Sequence, residues 1–343
     1  MTDPILEVEN LTTHFETEQG TVKAVDGVSF ELHEGETLGV VGESGSGKSV
    51  TAMTVMGLVG SAGDIKRGSA RFNGEELLDK PESEIQTIRG NRIAMVFQDP
   101  MSSLNPTQTV GQQITRVIRT HQDLSKAEAR AKAVELMEQV GIPEAESRVN
   151  NYPHQFSGGM RQRALIAMAI SCEPDVLIAD EPTTALDVTI EAQIFDLLDD
   201  LQAEYDMSIL LITHDLGVVA DTCDRVNVMY AGRIVEKGSR EEIFADPRHP
   251  YTRGLLRSVP QLRSDASRLT PIEGDVPNPA RLPSGCSFSP RCPHAEAECR
   301  KYDPELRTVT EGQEAACLLA EGYGDVPQTA GEEEAAATDG GER

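Results

Sequence analysis

An α/β fold built around a parallel sheet is predicted by three observations. First, short apolar segments suited to buried strands recur at 37–41 (TLGVV), 93–97 (IAMVF), 176–179 (VLIA) and 209–213 (ILLIT). Second, the segment 37–41 runs directly into a glycine-rich turn and a helix-forming stretch. Third, the other three end at Gln98, Asp180 and His214, polar side chains at the carboxyl edge where ligands of open α/β sheets bind.

The chain begins MTDPILEVEN, which lacks a basic region followed by an apolar one and so does not read as a secretory signal. Phe15 lies in a hairpin strand ahead of 22–32, the start of an antiparallel β subdomain. Gly42, Glu43, Ser44, Gly45, Ser46, Gly47, Lys48 and Ser49 match G-x-x-x-x-G-K-[ST] in its strand, loop and helix context, the signature of a P-loop NTPase. Backbone N–H groups of such a loop curl around phosphate oxygens and the helix N-terminus adds a favourable dipole. Lys48 then reaches the β- and γ-phosphates of ATP, and the Ser49 hydroxyl ligates Mg²⁺.

A helical subdomain is expected over about 99–170, with apolar residues at helical spacing in 110–121 and 125–141 and a capping box at Ser125 and Glu128. Within it, Ser157, Gly158 and Gly159 precede Gln162 and a helix-forming run, making a second anion nest without a lysine. One nucleotide does not need two cradles, so the second suits a nucleotide held by another chain. Asp180 and Glu181 end the strand 176–179; Asp180 suits a Mg²⁺ carboxylate and Glu181 the group that orients and deprotonates an attacking water.

Taken together, residues 5 to 260 resemble the nucleotide-binding subunit of an ABC transporter. The resemblance makes Ser157, Gly158 and Gly159 the signature loop that closes on a partner's ATP, with Gln162 following it. It makes Gln98 the glutamine that senses Mg²⁺ and water and links to the membrane subunit, His214 the histidine that contacts the γ-phosphate, and Asp187, after Leu186, part of the loop crossing the dimer interface. Adenine carries no charge, and the family stacks it on an aromatic near the N-terminus; Phe15 is the candidate, with a core phenylalanine as the equal alternative. The segments 99–106 (DPMSSLNP) and 249–256 (HPYTRGLL) resemble the oligopeptide and dipeptide importers, a group that also includes nickel and oligosaccharide carriers. The implied partners are two transmembrane permease subunits, a second homologous ATPase in a heterodimer or else a second copy, and indirectly an extracellular substrate-binding protein. A soluble ABC ATPase acting on DNA or ribosomes would require a long coiled coil, tandem cassettes or a basic surface, and none is legible.

The organisation expected is a nucleotide-binding domain at 1–255, a Cys-rich extension at 256–325 and an acidic, disordered tail at 326–343. Cys172 and Cys223 stand alone and suit core positions. Cys286, Cys292, Cys299 and Cys317 cluster in a Pro-rich region, which suggests a metal site, yet their intervals match neither common zinc-finger nor ferredoxin spacing. Segment 285–293 (GCSFSPRCP) resembles importer ATPases that hold a [4Fe-4S] cluster on four such cysteines. That resemblance favours iron-sulfur, with zinc or no metal remaining open and His294 a further candidate ligand.

The chain has 57 acidic against 31 basic residues, a net charge of −26, in a sequence that is 38% hydrophobic. That apolar share supports a folded core, and the charge argues against nucleic acid as a partner. Arginine outnumbers lysine and the acids spread through the folded part, a pattern suited to molar salt, where the Debye length is about 3 Å and self-repulsion is screened. An acidic tail on an otherwise ordinary protein is the alternative. No apolar run of about 18 residues occurs. The expected location is the cytoplasmic face of the membrane, held peripherally.

Overall fold

The structure is a computed structural model in which residues 3–18, 20–184, 186–258 and 271–322 are described. Strands β1 (Leu6–Thr17), β2 (Gly20–Leu32), β4 (Gly63–Phe72) and β5 (Glu75–Glu76) form an antiparallel sheet in the order β2-β1-β4-β5. A second sheet contains β3 (Thr37–Val41), β6 (Ile93–Val96), β7 (Val176–Asp180), β8 (Ser208–Thr213), β9 (Arg225–Tyr230) and β10 (Arg233–Ser239), joined by β11 (Arg307–Thr310) and β12 (Gln313–Ala315). Its order is β11-β12-β10-β9-β3-β8-β7-β6. The run from β9 through β3, β8 and β7 to β6 is parallel, and β10 and β12 add antiparallel.

Every residue of β3, β7 and β8 is buried. Continuous apolar strands are what a parallel sheet covered on both faces requires. Alternation then sorts side chains between two cores. Leu177, Ala179, Ile209 and Leu211 face one core with the helices Val110–His121, Lys126–Gln139, Gly158–Ala169 and Val188–Tyr205. Val176, Ile178, Leu210 and Ile212 face the other, with Ala52 and Val55 of the helix Lys48–Val55 and with Leu6, Val8, Val28 and Phe30 of the antiparallel sheet.

The capping box at Ser125 and Glu128 forms as expected, and an unforeseen one at Thr109 and Gln112 opens the helix Val110–His121. The helix after the glycine-rich loop starts at Lys48. The strand expected to reach Phe97 stops at Val96, and Phe97 is 40% exposed. After residue 271 the chain returns to the central sheet: β12 pairs with β10, so this region continues the cassette rather than standing apart. Phe288 is buried among Tyr230, His249 and Tyr251. The acidic tail expected at 326–343 lies outside the described residues, as do residues 259–270 within the expected extension.

Candidate nucleotide site

The glycine-rich loop leaves the end of β3 and turns into the helix Lys48–Val55. Two of its glycines are fixed by geometry. A Cβ on Gly42 would sit 2.2 Å from the Met229 carbonyl oxygen. Gly47 has φ +105°, and a Cβ there would meet the Ala24 carbonyl at 2.3 Å, so any side chain at either position displaces backbone. Lys48 is only 4% exposed, and its Nζ donates to the carbonyls of Gly42 at 2.7 Å and Glu43 at 3.1 Å. Burial lowers its pKa, against the opposing pull of Glu181, Asp180 and Glu43. Ser49 Oγ donates to Asp180 Oδ1 at 2.9 Å. Asp180, itself 4% exposed, has its carboxyl pKa raised by burial, with the Ser49 bond acting in the opposite sense.

Beside this pair lies a second carboxylate. Glu181 Oε2 accepts from Gln98 Nε2 at 2.7 Å and from Thr184 Oγ1 at 2.9 Å, and its Oε1 is 3.4 Å from His214 Nδ1. The Glu181 backbone has φ +45°, a conformation costly for a residue with a Cβ, and its N–H donates to the Ile212 carbonyl. Strand pairing of β7 with β8 thus holds the strained turn, which aims the carboxylate at the site mouth. Lys48, Ser49, Gln98, Asp180, Glu181 and His214 therefore gather at the carboxyl edge as the sequence indicated. Thr184 was missed; its only sequence signal is its place three residues after Glu181 in the turn.

The Ser157 turn is separate from this group. Ser157 caps the helix Gly158–Ala169 by accepting from the Met160 N–H at 3.3 Å. Gly158 and Gly159 pack against Leu186 and Ile190, where a Cβ would come within 3.3 and 2.8 Å. Ser157, Gly158 and Asp187 are exposed, and so is Val188, at 81%. Gln162 differs from expectation: it faces the core, 1% exposed, and its Nε2 has no hydrogen-bond partner. It occupies an inward position of the helix and so does not share the exposed surface of Ser157 and Gly158. Phe15 is half-buried, paired in register with Val22 and Gly63, with its ring edge 3.1 Å from where a Cβ on Gly63 would sit. It is therefore not a fully buried core side chain.

Cys172 and Cys223 are buried, and burial pushes the Cys223 thiol up to about 12. Cys286, Cys292, Cys299 and Cys317 are all free thiols, and the Cys286 N–H bonds the Cys299 carbonyl. Burial raises Cys286 to about 12 and Cys317 to about 11, and charge on Cys299 adds to both. Burial and Cys299 also raise Cys292. Among the described residues, however, no group of three or more His, Cys, Asp or Glu side chains converges closely enough to hold a metal ion. The tetrahedral thiolate set that a zinc ion requires is therefore not preformed.

The chain resembles known proteins along most of its length. Residues 25–184 match the family model described as ABC transporter, and residues 235–299 match the oligopeptide/dipeptide transporter C-terminal region. The oligopeptide transport ATP-binding protein AppD of Bacillus subtilis is 50% identical over 93% of this chain and 98% of its own length. OppD of Salmonella typhimurium is 53% identical over 92% of this chain and 93% of its own. Among solved structures, the dimeric bacterial ABC transporter cassette MJ0796 aligns with a TM-score of 0.62 and 27% identity, covering 68% of this chain and 98% of that one. The cassette cbiO1 from Clostridium perfringens aligns at 0.61 and 31%, covering 71% and 92%. With half of its residues shared along nearly the full length of such relatives, and with both family models matched in order, the chain belongs to the ABC transporter ATP-binding family, in its oligopeptide/dipeptide branch.

Proposed function

We propose that this chain is the ATP-hydrolysing motor of a membrane importer of di- or oligopeptides, acting from the cytoplasmic face. The observation that carries the reading is the joint placement of the Ser49–Asp180 pair and the Gln98–Glu181–His214 set at the mouth of the glycine-rich loop. The peptide cargo is inferred from the branch to which AppD and OppD belong.

In this reading Lys48 leaves its carbonyl cage to meet the β- and γ-phosphates, supported by the loop N–H groups and the helix N-terminus. Ser49, Asp180 and Gln98 supply oxygen ligands that fit a hard cation: a buried carboxylate already aligned with a hydroxyl is a donor set suited to Mg²⁺. Mg²⁺ bound there would neutralise charge on the phosphate oxygens. Glu181 takes the proton of the attacking water, with Gln98 and Thr184 holding its carboxylate and His214 beside it to contact the γ-phosphate. The exposed Ser157 and Gly158 close on a partner's nucleotide, and Asp187 and the exposed Val188 suit that dimer interface. The partner is a second homologous ATPase, with a second copy of this chain as the alternative. Phe15, half-buried on β1 of the antiparallel sheet, suits stacking on adenine.

Permease docking is supported by the exposed Phe97 (40%), just before Gln98, and by Met101 (62%) and Tyr152 (40%) between Gln98 and Ser157, where Arg161 reaches both Met101 Sδ and the Pro153 carbonyl. The substrate-binding protein would act through those permeases. No helix among the described residues is long and apolar enough to cross a membrane. The net charge of −26 is read as adaptation to a saline cytoplasm.

Replacing Glu181 with Gln keeps its shape but removes the base. ATP binding should persist while turnover falls by roughly 10²- to 10⁴-fold, the usual contribution of general base catalysis, and a closed ATP-bound dimer should accumulate on gel filtration. Hydrolysis at the wild-type rate would refute the assignment. The four cysteines, all soft ligands, would suit a [4Fe-4S] centre by ligand type, the reading that the resemblance of 285–293 implies. Anaerobic purification with an absorbance spectrum and iron and zinc analysis tests this. A colourless protein with stoichiometric zinc would reject the cluster.

A further inference from the structure

The side chain of Glu43, the second residue of the glycine-rich loop, turns away from Lys48 and toward the Cys-rich region. Arg291 meets it there, one residue before Cys292. Nη1 donates to Glu43 Oε2 at 2.6 Å and Nη2 to Oε1 at 3.0 Å, a bidentate fork. The same guanidinium donates from Nε to the Glu273 carbonyl at 3.1 Å, from Nη2 to the Ile272 carbonyl at 3.4 Å and from Nη1 to Tyr230 Oη at 3.4 Å. A guanidinium has five N–H donors, and here each has an acceptor. The Arg291 side chain is 4% exposed, with its charge 5.9 and 6.0 Å above the rings of Tyr230 and Phe288. Tyr251, fully buried, accepts the Glu43 N–H on its hydroxyl at 2.8 Å. Both the side chain and the backbone of Glu43 are therefore held by residues that follow the cassette's last parallel strand.

Two physical effects follow. Residue 43 is adjacent to Gly42 and supplies one of the two carbonyls that cage Lys48, so fixing it fixes the loop geometry offered to a phosphate chain. Glu43 is also the only acid in the loop, and an unpaired carboxylate there would repel the triphosphate. Arg291 cancels that charge inside the protein, where screening is weak, and the pairing in turn raises the Arg291 pKa.

We propose that the Cys-rich C-terminal region is an intramolecular clamp on the phosphate loop, with Arg291 the positioning residue that sets ATP affinity through Glu43. The folded state of the segment carrying Cys286, Cys292 and Cys299 is then communicated to the nucleotide site, and nucleotide binding stabilises that segment in return. The proposal rests on reading 42–49 as the nucleotide loop.

The test uses the full chain in high salt, with binding of a non-hydrolysable ATP analogue and Mg²⁺ followed by titration calorimetry. Arg291→Gln should weaken binding about tenfold, within the range typical of coupled sites, and Arg291→Lys, which keeps charge but loses the fork, should weaken it less. Adding Glu43→Gln to Arg291→Gln should recover part of the loss, because no uncompensated carboxylate remains. Hydrogen exchange of residues 286–300 should slow when nucleotide binds the wild type and not when it binds Arg291→Gln. Affinity within twofold of wild type in a natively melting Arg291→Gln overturns the clamp, as does multiplication of the two single losses in the double variant. Should Arg291→Gln fail to fold, affinity within twofold of wild type in Arg291→Lys overturns it instead. Lys48→Ala separates the two claims. If it binds nucleotide like wild type, the loop assignment itself fails; if it does not bind while the Arg291 variants keep affinity within twofold of wild type, only the clamp fails.

Discussion

His249 should make the protein acid-labile by an amount that can be worked out. The residue is 1% exposed, its Nδ1 accepts the Tyr251 N–H at 3.0 Å, and its own N–H donates to Glu236 Oε2 at 2.9 Å. Protonation at Nδ1 would set two donors against each other in a buried site. Burial first, and Arg253 second, lower its pKa from 6.5 to about 3. Because the unfolded chain binds this proton at higher pH than the folded one, the stability it contributes is present above 6.5 and is lost as pH falls toward 3. At pH 5, one and a half units below 6.5, the loss is about 2 kcal/mol at 1.36 kcal/mol per unit. Glu236 works the other way, since burial raises its pKa and its contribution is lost as pH rises through the folded value. Comparing wild type with His249→Gln cancels Glu236 to first order. Denaturant melts at pH 7.5 and pH 5 should therefore show the stability gap between the two proteins narrowing by about 2 kcal/mol on acidification. Parallel pH dependence would refute a buried neutral histidine. The same titration bears on the nucleotide site, because Tyr251, whose N–H bonds His249, also accepts the Glu43 N–H.

Thr184→Val should lower kcat roughly tenfold with little change in Mg-ATP affinity, since one hydrogen bond to a charged acceptor contributes about 1.5–3 kcal/mol and this one orients Glu181 rather than touching nucleotide. Steady-state ATPase assays with separate binding titrations check it, and a loss confined to KM would contradict it. Dilution from molar to about 0.1 M salt should weaken both folding and ATPase activity, because screening over about 3 Å gives way to about 10 Å across a surface of net charge −26. Full stability and activity in low salt would leave the acidity without that explanation.

What was legible in the sequence was what depends on short-range pattern. The strands 37–41 and 176–180 and the helix 110–121 follow from local apolar spacing, and Lys48, Ser49, Asp180 and Glu181 follow from their place at strand ends. Arg291 was invisible for the opposite reason. Arg291 lies 248 residues from Glu43, and the two meet only where Phe288 packs the chain against Tyr230 and Tyr251. Gln162 was grouped with Ser157 and Gly158 by proximity along the chain, but a helix turns by about 100° per residue and carries it to the buried side. The cysteines mark a limit of another kind, since spacing shows that four thiols are close in sequence but not how far apart their sulfurs settle.

The chain's acidity poses a problem for a site that must bind a triphosphate, and the structure meets it locally. Across the loop the one cation, Lys48, is buried and held by the Gly42 and Glu43 carbonyls, which it exchanges for phosphate oxygens when a nucleotide enters. The one carboxylate, Glu43, is neutralised by a guanidinium that spends all five donors within the protein. Asp180 and Glu181 remain as the negative groups facing the site, and both have partners that hold them in place: Ser49 for the first, and Gln98, Thr184 and His214 for the second. Net charge is thus set by the exposed surface, whereas phosphate affinity is set by which charges are buried and paired within one loop. An arginine outside the motif, supplied by the C-terminal region, is what allows a glutamate to stand inside it.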